Sequence, residues 1–432
     1  MSRSPLRIAT TRQLELSVRA AGFEPVILPE QVTDDFNRSL DSRLADGRVY
    51  RPFLENNNID LVLDYNTGTM TFVPDGDQPG PVALTTASLN IPYVACYLDP
   101  ITSTMANVEW VDHWHLLESP AWIKGISDTA HAEELTRFGV PNVLNVPMGG
   151  PDGEFVTEPR PQPDRGAVIA FLGHPASSWF RSNVPILPKQ LFAGLTAAAV
   201  HADMPDVPFH KIYYDLYEFG ELPLATDDAP TRARKVQAYY ADKFTYNAYL
   251  AVRQRDRWAR FLKLKLGDSF ELVGDHWGET YGLDHTPRIW DMAEVRRRMR
   301  HVPICLNLIK GNIETSLIVR HFEITAHGGF MLTYPTPELD QYFEIGKECD
   351  VFHSEAELLD KIEYYLSHPD KRYEIAAAGQ RRTLSEHLTS HRIARLVKVL
   401  QQGGVLGGGP ESTPSGAPAE PVTAPREFVE AR

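Results

Sequence analysis

The most informative part of this chain is the segment 307–343, where polar side chains recur at the spacing of one helix face. Ser316, Arg320 and Glu323 lie four and three residues apart, so a helix predicted over about 314–327 would present all three together. A guanidinium can bind phosphate through two hydrogen bonds, and a carboxylate can accept hydrogen bonds from ribose hydroxyls. Near a helix N-terminus, a serine hydroxyl can bind a phosphate oxygen. This pattern therefore favours a site for a nucleotide diphosphate.

The same spacing also permits a structural interpretation. Arg320 and Glu323 could form an intrahelical ion pair, and Ser316 could cap the helix. Gly328, which follows the predicted helix, could serve only to end its last turn. The residues alone leave these alternatives open.

The pattern around these residues resembles a known family. From Asn307 to Phe343, the order N…S-x3-R-x-F-E-x2-A-x-G-G-F-x-L-T…P-E-L…Y-F is similar to the C-terminal domain of GT-B glycosyltransferases. The similarity is greatest to their spore-maturation-like (CgeB-like) group, and it continues in the same order to His387. It implies an α/β fold of the GT-B type, with two Rossmann-like, doubly wound parallel-sheet domains that face each other across a cleft. It also implies a nucleotide-sugar donor, UDP-sugar above all, and transfer to an acceptor hydroxyl without a bound metal or other cofactor.

The resemblance assigns roles to individual residues. Glu323 would contact the donor as a catalytic residue, and Arg320 would neutralise the diphosphate as the sugar bond breaks. Gly328 would belong to the same donor-binding segment. In the retaining motif E-x7-E, the first Glu would stand where this chain has Thr315. Retention of configuration is therefore a hypothesis. The alternatives are a catalytically inactive binding or assembly protein and a sugar-nucleotide epimerase.

Predicted strand ends supply further candidates for the donor site. Gly173 would let the backbone approach a phosphate closely, and Arg181 would add a second cation. Gly274 and Asn307 each end a predicted strand on the same side of the donor domain. Trp277 either stacks near the base or packs in the core.

On the acceptor side, Asp99 follows the predicted strand 91–98. A carboxylate there could act as general base on an acceptor hydroxyl. As an alternative, Asp99 could cap the turn before Pro100. The acceptor itself, whether a saccharide, a protein or a small molecule, stays unknown.

These residues require parallel sheets to position them. Strand and helix patterns alternate along the chain, which favours doubly wound sheets. Among the finer elements, we predict a strand at 115–118 and a C-terminal helix at about 390–401. The predicted organisation is an N-terminal acceptor-side domain (1–156), a linker (157–166), a C-terminal nucleotide-sugar-binding domain (167–401) with a helical insertion (about 179–266), and a disordered tail (402–432).

Bulk composition agrees with a two-domain enzyme. The chain has 432 residues, which favours two domains, and its net charge of -14 argues against a nucleic-acid partner. Its three cysteines form no C-x-x-C pair, which fits reduced thiols. We find no signal-peptide pattern and no apolar run of about 20 residues, so we predict a cytoplasmic protein without a transmembrane segment. The oligomeric state stays open.

Overall fold

The computed structural model describes residues 5–30, 39–75, 82–98, 101, 116–156, 169–175, 222–251, 255–309 and 313–406. The chain divides into two compact units. Unit 1 comprises Met1–Pro147, Tyr213–Lys243 and Ser390–Arg432, and unit 2 comprises Met148–Ile212 and Phe244–Thr389.

The described strands and helices alternate along much of the chain. The strands are β1 (Arg7–Thr10), β2 (Glu24–Ile27), β3 (Leu61–Tyr65), β4 (Phe72–Pro74), β5 (Val82–Leu84), β6 (Tyr93–Tyr97), β7 (Trp122–Ile126), β8 (Val143–Asn145), β9 (Ile169–Leu172), β10 (Phe270–Val273), β11 (Ile304–Asn307), β12 (Met331–Thr333) and β13 (Asp350–Val351). The helices are α1 (Arg12–Ala20), α2 (Leu40–Asn56), α3 (Thr129–Arg137), α4 (Ala229–Ala251), α5 (Arg257–Leu266), α6 (Trp277–Tyr281), α7 (Met292–His301), α8 (Val319–Ala326), α9 (Leu339–Tyr342), α10 (Glu355–Ser367), α11 (Pro369–Glu386) and α12 (Thr389–Gln402).

Each unit is built on one parallel sheet. The sheet of unit 1 has the order β2-β1-β3-β6-β7-β8, and the sheet of unit 2 has the order β10-β9-β11-β12-β13. All of their pairings are parallel, whereas β4 and β5 form a separate antiparallel hairpin. The predicted fold class, α/β with two Rossmann-like parallel sheets, is confirmed.

The core of unit 1 contains both the beginning and the end of the described chain. Apolar residues of β1, β3 and β6 pack with Leu14 and Val18 of α1. Residues of α12, among them Ile393 and Leu396, lie in the same cluster. The C-terminal helix was therefore predicted correctly, and the compact units divide the chain differently from the predicted domains. Residues 390–401 and 213–243 belong to unit 1, although the prediction placed them in the C-terminal domain.

A large apolar cluster of unit 2 packs on one face of its sheet. Ile169, Phe171 and Leu306 point from the central strands into a cluster with Trp258 of α5 and Ile375 of α11. The alternation along β9 therefore places every second side chain against these helices. This packing fixes the loops that follow the strands.

The predicted strand at 115–118 is wrong. Leu116–Glu118 forms a short 3-10 turn, and the strand lies at β7 instead. Lys124 interrupts the apolar run of β7, although its side chain is fully buried. The Nζ atom of Lys124 donates hydrogen bonds to three backbone carbonyl oxygens, which compensates for the loss of water.

Other predictions fall partly or wholly outside the described residues. The linker at 157–166 lies outside them, as do much of the helical insertion and residues 407–432. The tail was predicted to begin at 402, but α12 extends to Gln402 and Leu406 is buried against the core of unit 1. The packed part of the chain therefore continues at least to Leu406.

Candidate functional site

In the sheet of unit 2, the order in which strands are added changes direction between β9 and β11. From β9 it adds β10 on one side and then β11 on the other, and β9 and β11 pair directly. Open α/β sheets bind ligands at the carboxyl ends of strands beside such a switch point. The loops that leave these two strands begin with Gly173-His174 and with Leu308, and they define the candidate site.

Arg255 joins the two loops. Its Nε and Nη2 atoms lie 3.3 and 3.2 Å from the carbonyl oxygen of Leu308, and its Nη1 atom lies 3.4 Å from that of His174. Arg255 is only 8% exposed, and its guanidinium lies 5.3 Å from the centre of the Phe171 ring. A positive charge in this position makes the edge of the sheet attractive to an anion. Arg255 was missed from the sequence, where the cluster R-Q-R-D-R resembles an ordinary solvated helix end.

Two of the three glycines that were predicted to bind the donor, Gly173 and Gly274, have a packing function. The Gly274 backbone has a φ of +149°, and a Cβ atom there would lie 2.5 Å from the carbonyl oxygen of Gly173. A Cβ atom on Gly173 would lie 2.7 Å from the ring of Phe171. Trp277 is fully buried and donates from Nε1 to the carbonyl oxygen of Gly173 over 2.8 Å. Trp277 is thus a core residue, and the base-stacking alternative is wrong. Donor binding by the glycines stays a prediction.

His174 lies half-buried beside these glycines. The backbone N–H of Asp275 donates to its Nδ1 atom over 2.9 Å, and Nδ1 is also 3.4 Å from the carbonyl oxygen of Asp275. Burial lowers the pKa of His174, which favours the neutral ring. Because Nδ1 accepts the shorter bond, the neutral ring carries its proton on Nε2. His174 was not selected from the sequence.

Asn307 ends β11, as predicted, and belongs to a buried polar network. Its Nδ2 atom donates to Oγ1 of Thr333 over 3.2 Å, and Nε2 of His321 lies 3.4 Å from the same oxygen. Burial lowers the pKa of His321 to about 4, so its ring is neutral near pH 7. Within the described part of the chain, the buried Oδ1 atom of Asn307 accepts no hydrogen bond. Buried acceptors are normally satisfied, so this atom is available to a donor group of a ligand or a water molecule.

The helix that carries the predicted triad begins later than expected. It starts at Val319, with His321 Nδ1 accepting from the backbone N–H of Ile318, rather than at 314. The preceding segment is held by a bond from the N–H of Glu338 to the carbonyl oxygen of Thr315. Ser316 therefore lies before the helix and is buried, so the prediction that it shares a helix face with Arg320 and Glu323 is wrong.

Arg320 and Glu323 remain together on one face of α8. Their side chains form an ion pair of 3.0 Å, and they are 30% and 21% exposed. The structural alternative is therefore present, yet both groups can still be reached by a ligand. Gly328 lies beyond the opposite end of α8, where its φ of +69° and its N–H bond to Thr325 explain a glycine by helix termination. Its predicted role at the donor stays a prediction.

Two other predicted site residues, Asp99 and Arg181, lie outside the described residues. Within unit 1, described residues at the carboxyl edge of the sheet are polar. Asp64, at the end of β3, accepts from Tyr93 over 2.6 Å and from Thr69, and burial raises its pKa. The buried hydroxyls of Thr11, Thr67 and Tyr97 form no hydrogen bond with the described residues.

The sequence comparison supports sugar transfer. Residues 253–398 match the family model described as Glycosyl transferase-like. This segment is about a third of the chain, and it contains Arg255, Asn307 and the whole of α8. Most of this segment, up to Thr389, lies in unit 2, and the finer CgeB-like assignment is not given by this match. A comparison with curated protein sequences gives no match.

Several solved structures are similar to this chain. Sucrose-phosphate synthase from Thermosynechococcus elongatus has 10% identity and a TM-score of 0.45, and the similarity covers 93% of this chain and 99% of that chain. A glycosyltransferase from Rickettsia africae has 9% identity and a TM-score of 0.45, with 94% and 100% covered. The Anabaena protein HepE, in complex with UDP and glucose, has 9% identity and a TM-score of 0.42, with 92% and 100% covered.

The described ranges of the chain contain neither a cluster of metal-ligating side chains nor a helix able to span a membrane. No three His, Cys, Asp or Glu side chains in those ranges are grouped so that they could hold a metal ion. None of the helices in the same part of the chain has the length and hydrophobicity needed to cross a membrane.

Proposed function

We propose that this chain is a glycosyltransferase that moves a sugar from a nucleotide-diphosphate donor to a hydroxyl group of an acceptor. The position of Arg255 carries this proposal. It lies within the glycosyl transferase-like segment, and its buried guanidinium contacts the carbonyl groups that follow β9 and β11. A fixed positive charge at the switch point of a parallel sheet favours a phosphate group there.

The chemistry requires charge stabilisation at the leaving group. When the bond between sugar and diphosphate breaks, negative charge develops on the leaving phosphate, and a cation already in place stabilises it without reorganisation. We propose that Arg255 and Arg320 supply this charge without a bound metal and that Glu323 accepts a hydrogen bond from the ribose. The donor is a UDP-sugar in this proposal. Unit 1 would bind the acceptor, with Asp99 as the candidate general base.

A panel of donors tests the proposal. The melting temperature is measured with UDP-, GDP-, dTDP- and ADP-sugars, and release of nucleoside diphosphate is then measured with the donor that stabilises most. A ligand at a hundred times its Kd stabilises the folded protein by about 2.7 kcal/mol. We expect the UDP-sugar to raise the melting temperature, also in the presence of a chelator. If no sugar nucleotide does so, the proposal is wrong.

The stereochemical outcome is a separate part of the proposal. The position of Glu323 in the E-x7-E pattern favours retention, because the second Glu of the motif is present. NMR of the anomeric proton of the product distinguishes retention from inversion. A product of inverted configuration would overturn the proposed retention and leave the transfer reaction itself intact.

One observation favours a second candidate, a protein that binds a sugar nucleotide without catalysis. Thr315 stands in place of the first motif Glu, and its carbonyl oxygen is engaged by Glu338 in a structural bond. Tight donor binding without release of nucleoside diphosphate, across a panel of saccharide acceptors, would support this second candidate over the first.

A further inference from the structure

His174 presents one hydrogen-bond donor at the switch point of unit 2. Its Nδ1 atom is occupied by the backbone N–H of Asp275, which fixes the ring and leaves the proton on Nε2. The ring is half-buried, and its Nε2 atom forms no hydrogen bond with the described residues. The backbone carbonyl of the same residue accepts from Arg255, so a cation lies directly behind the loop.

We propose that Nε2 of His174 donates a hydrogen bond to a diphosphate oxygen of the nucleotide-sugar and that the ring takes up a proton when the donor binds. This inference rests on the proposed function, and it names a binding residue that sequence reasoning did not select. The loop that carries His174 leaves β9 at the point where open α/β sheets bind phosphate. The ring is therefore held rigidly in a position where its remaining donor can be used.

The groups that face His174 determine its protonation. They are Asp275, the His276 ring with its centre 6.3 Å away, and Arg288, together with Arg255 behind the backbone. In the free protein, burial is the largest cause of the lowered pKa of His174; Arg288 and His276 lower it further, and Asp275 opposes them. A diphosphate with two negative charges beside Nε2 favours the charged ring and raises the pKa again. The added proton goes to Nδ1, so the bond from the N–H of Asp275 is lost and Nδ1 donates instead to the carbonyl oxygen of Asp275, which lies 3.4 Å away.

Proton uptake is measured first, on the wild-type protein. The probe is the intact sugar nucleotide that stabilises most in the donor panel, because its diphosphate is doubly esterified and does not itself titrate near neutral pH. Calorimetric titration at pH 6.5 in two buffers of different ionisation enthalpy gives the number of protons taken up. We expect net uptake and an affinity that increases as the pH falls from 7.5 to 6. Zero uptake with measurable binding would overturn the proposal.

A pair of substitutions separates binding from structure. In His174→Asn, the side-chain oxygen can still accept from the N–H of Asp275, but the Nε2 donor is lost. In His174→Gln, an amide N–H remains near the position of Nε2. We expect His174→Asn to weaken binding of the same sugar nucleotide about tenfold to a hundredfold and to abolish the proton uptake. The melting temperature of the free protein should not change. His174→Gln should restore part of the affinity without the pH dependence.

His276→Asn is the matched control. This neighbouring histidine is exposed and has a φ of +69°, a conformation that asparagine adopts readily. Because the His276 ring only perturbs His174 from 6.3 Å away, His276→Asn should keep most of the affinity and a clear proton uptake, whereas His174→Asn should lose both. If the wild type binds and His174→Asn binds equally well with the same uptake, His174 has only a structural role. If the wild type binds no sugar nucleotide at all, the proposed function fails together with this inference.

Discussion

The ion pair between Arg320 and Glu323 on α8 permits two interpretations that only a binding measurement can separate. In the free protein the pair is 3.0 Å long and partly exposed, as an ordinary intrahelical pair would be. Exposed pairs of this kind contribute about 0–1 kcal/mol to stability. A charge-assisted bond to a ligand contributes about 1.5–3 kcal/mol.

Glu323→Gln should therefore weaken donor binding about tenfold to a hundredfold while the melting temperature of the free protein hardly changes. The measurement is calorimetric titration with the donor, together with thermal unfolding of the free protein. Glu294→Gln, at a carboxylate that pairs with Arg297 and Arg298 on α7, is the control for loss of a helix ion pair. Equal donor affinity in Glu323→Gln and wild type would mean that the pair is only structural.

The buried ring of His321 makes stability depend on pH. Its folded-state pKa of about 4 is below the ordinary value of 6.5, so between these pH values the unfolded chain binds more protons than the folded protein. Stability therefore rises with pH from 4 to 6.5 and is lost as the pH falls through this window. The contribution is about 3 kcal/mol.

Urea unfolding at pH 4.5 to 7.5 measures this slope. His321→Asn, which can still accept from the N–H of Ile318, should unfold with a smaller dependence on pH than the wild type. His353→Asn changes a side chain that is 65% exposed, and it should keep the full slope. An unchanged slope in His321→Asn would show that other groups cause the pH dependence.

At the scale of elements, regular patterns in the sequence were sufficient to predict strands that pack one face against the core. β1 and β10 were predicted with their observed bounds, and both sheets followed from the alternation of strands and helices. β7 was missed because a buried Lys124 breaks its pattern, and the three carbonyl partners that make this burial possible include Leu117 and Pro141, which lie outside the strand.

The candidate site was predictable only in part for the same reason. Asn307 was found because it ends a strand, which is a local property of the sequence. The later start of α8 depends on contacts with His321 and Glu338, so the helix that Ser316 was expected to share could not be delimited from spacing alone. Arg255 and His174 become candidates only when two strand ends, far apart in sequence, are seen side by side.

The turn after β10 illustrates how an element end limits substitution. In Gly274→Ala the added Cβ would lie 2.5 Å from a backbone oxygen of Gly173, which cannot rotate away. We expect a loss of about 2–4 kcal/mol in unfolding free energy. Gly282→Ala is the matched control, because Gly282 also has a positive φ, of +67°, but nothing within 4 Å of its added Cβ. It should lose only about 1 kcal/mol. Similar losses in both variants, measured by urea unfolding, would contradict the close-approach explanation.

At the scale of the whole molecule, unit 1 is assembled from distant parts of the chain. Its core combines β1 and α1 from the beginning of the chain with α12 and Leu406 from the end. This assembly could not be predicted from sequence order, because α12 directly follows a segment that belongs to unit 2. The packing also determines where the chain can be shortened.

Two truncations, after Leu406 and after Gln402, test that arrangement. Residues 407–432 are rich in Gly, Pro, Ser and Ala, a composition with little apolar surface to bury, so their removal should leave stability and donor binding unchanged. Ending the chain after Gln402 also removes Leu406, which is 3% exposed in the core of unit 1. Burial of a leucine contributes about 1.5–3 kcal/mol, so this shorter chain should unfold at a lower urea concentration by a corresponding amount.

Donor binding should survive in both truncated proteins, because Arg255, Asn307 and α8 are retained. Equal stability of the two truncated proteins would show that the last turn after α12 does not contribute to the core.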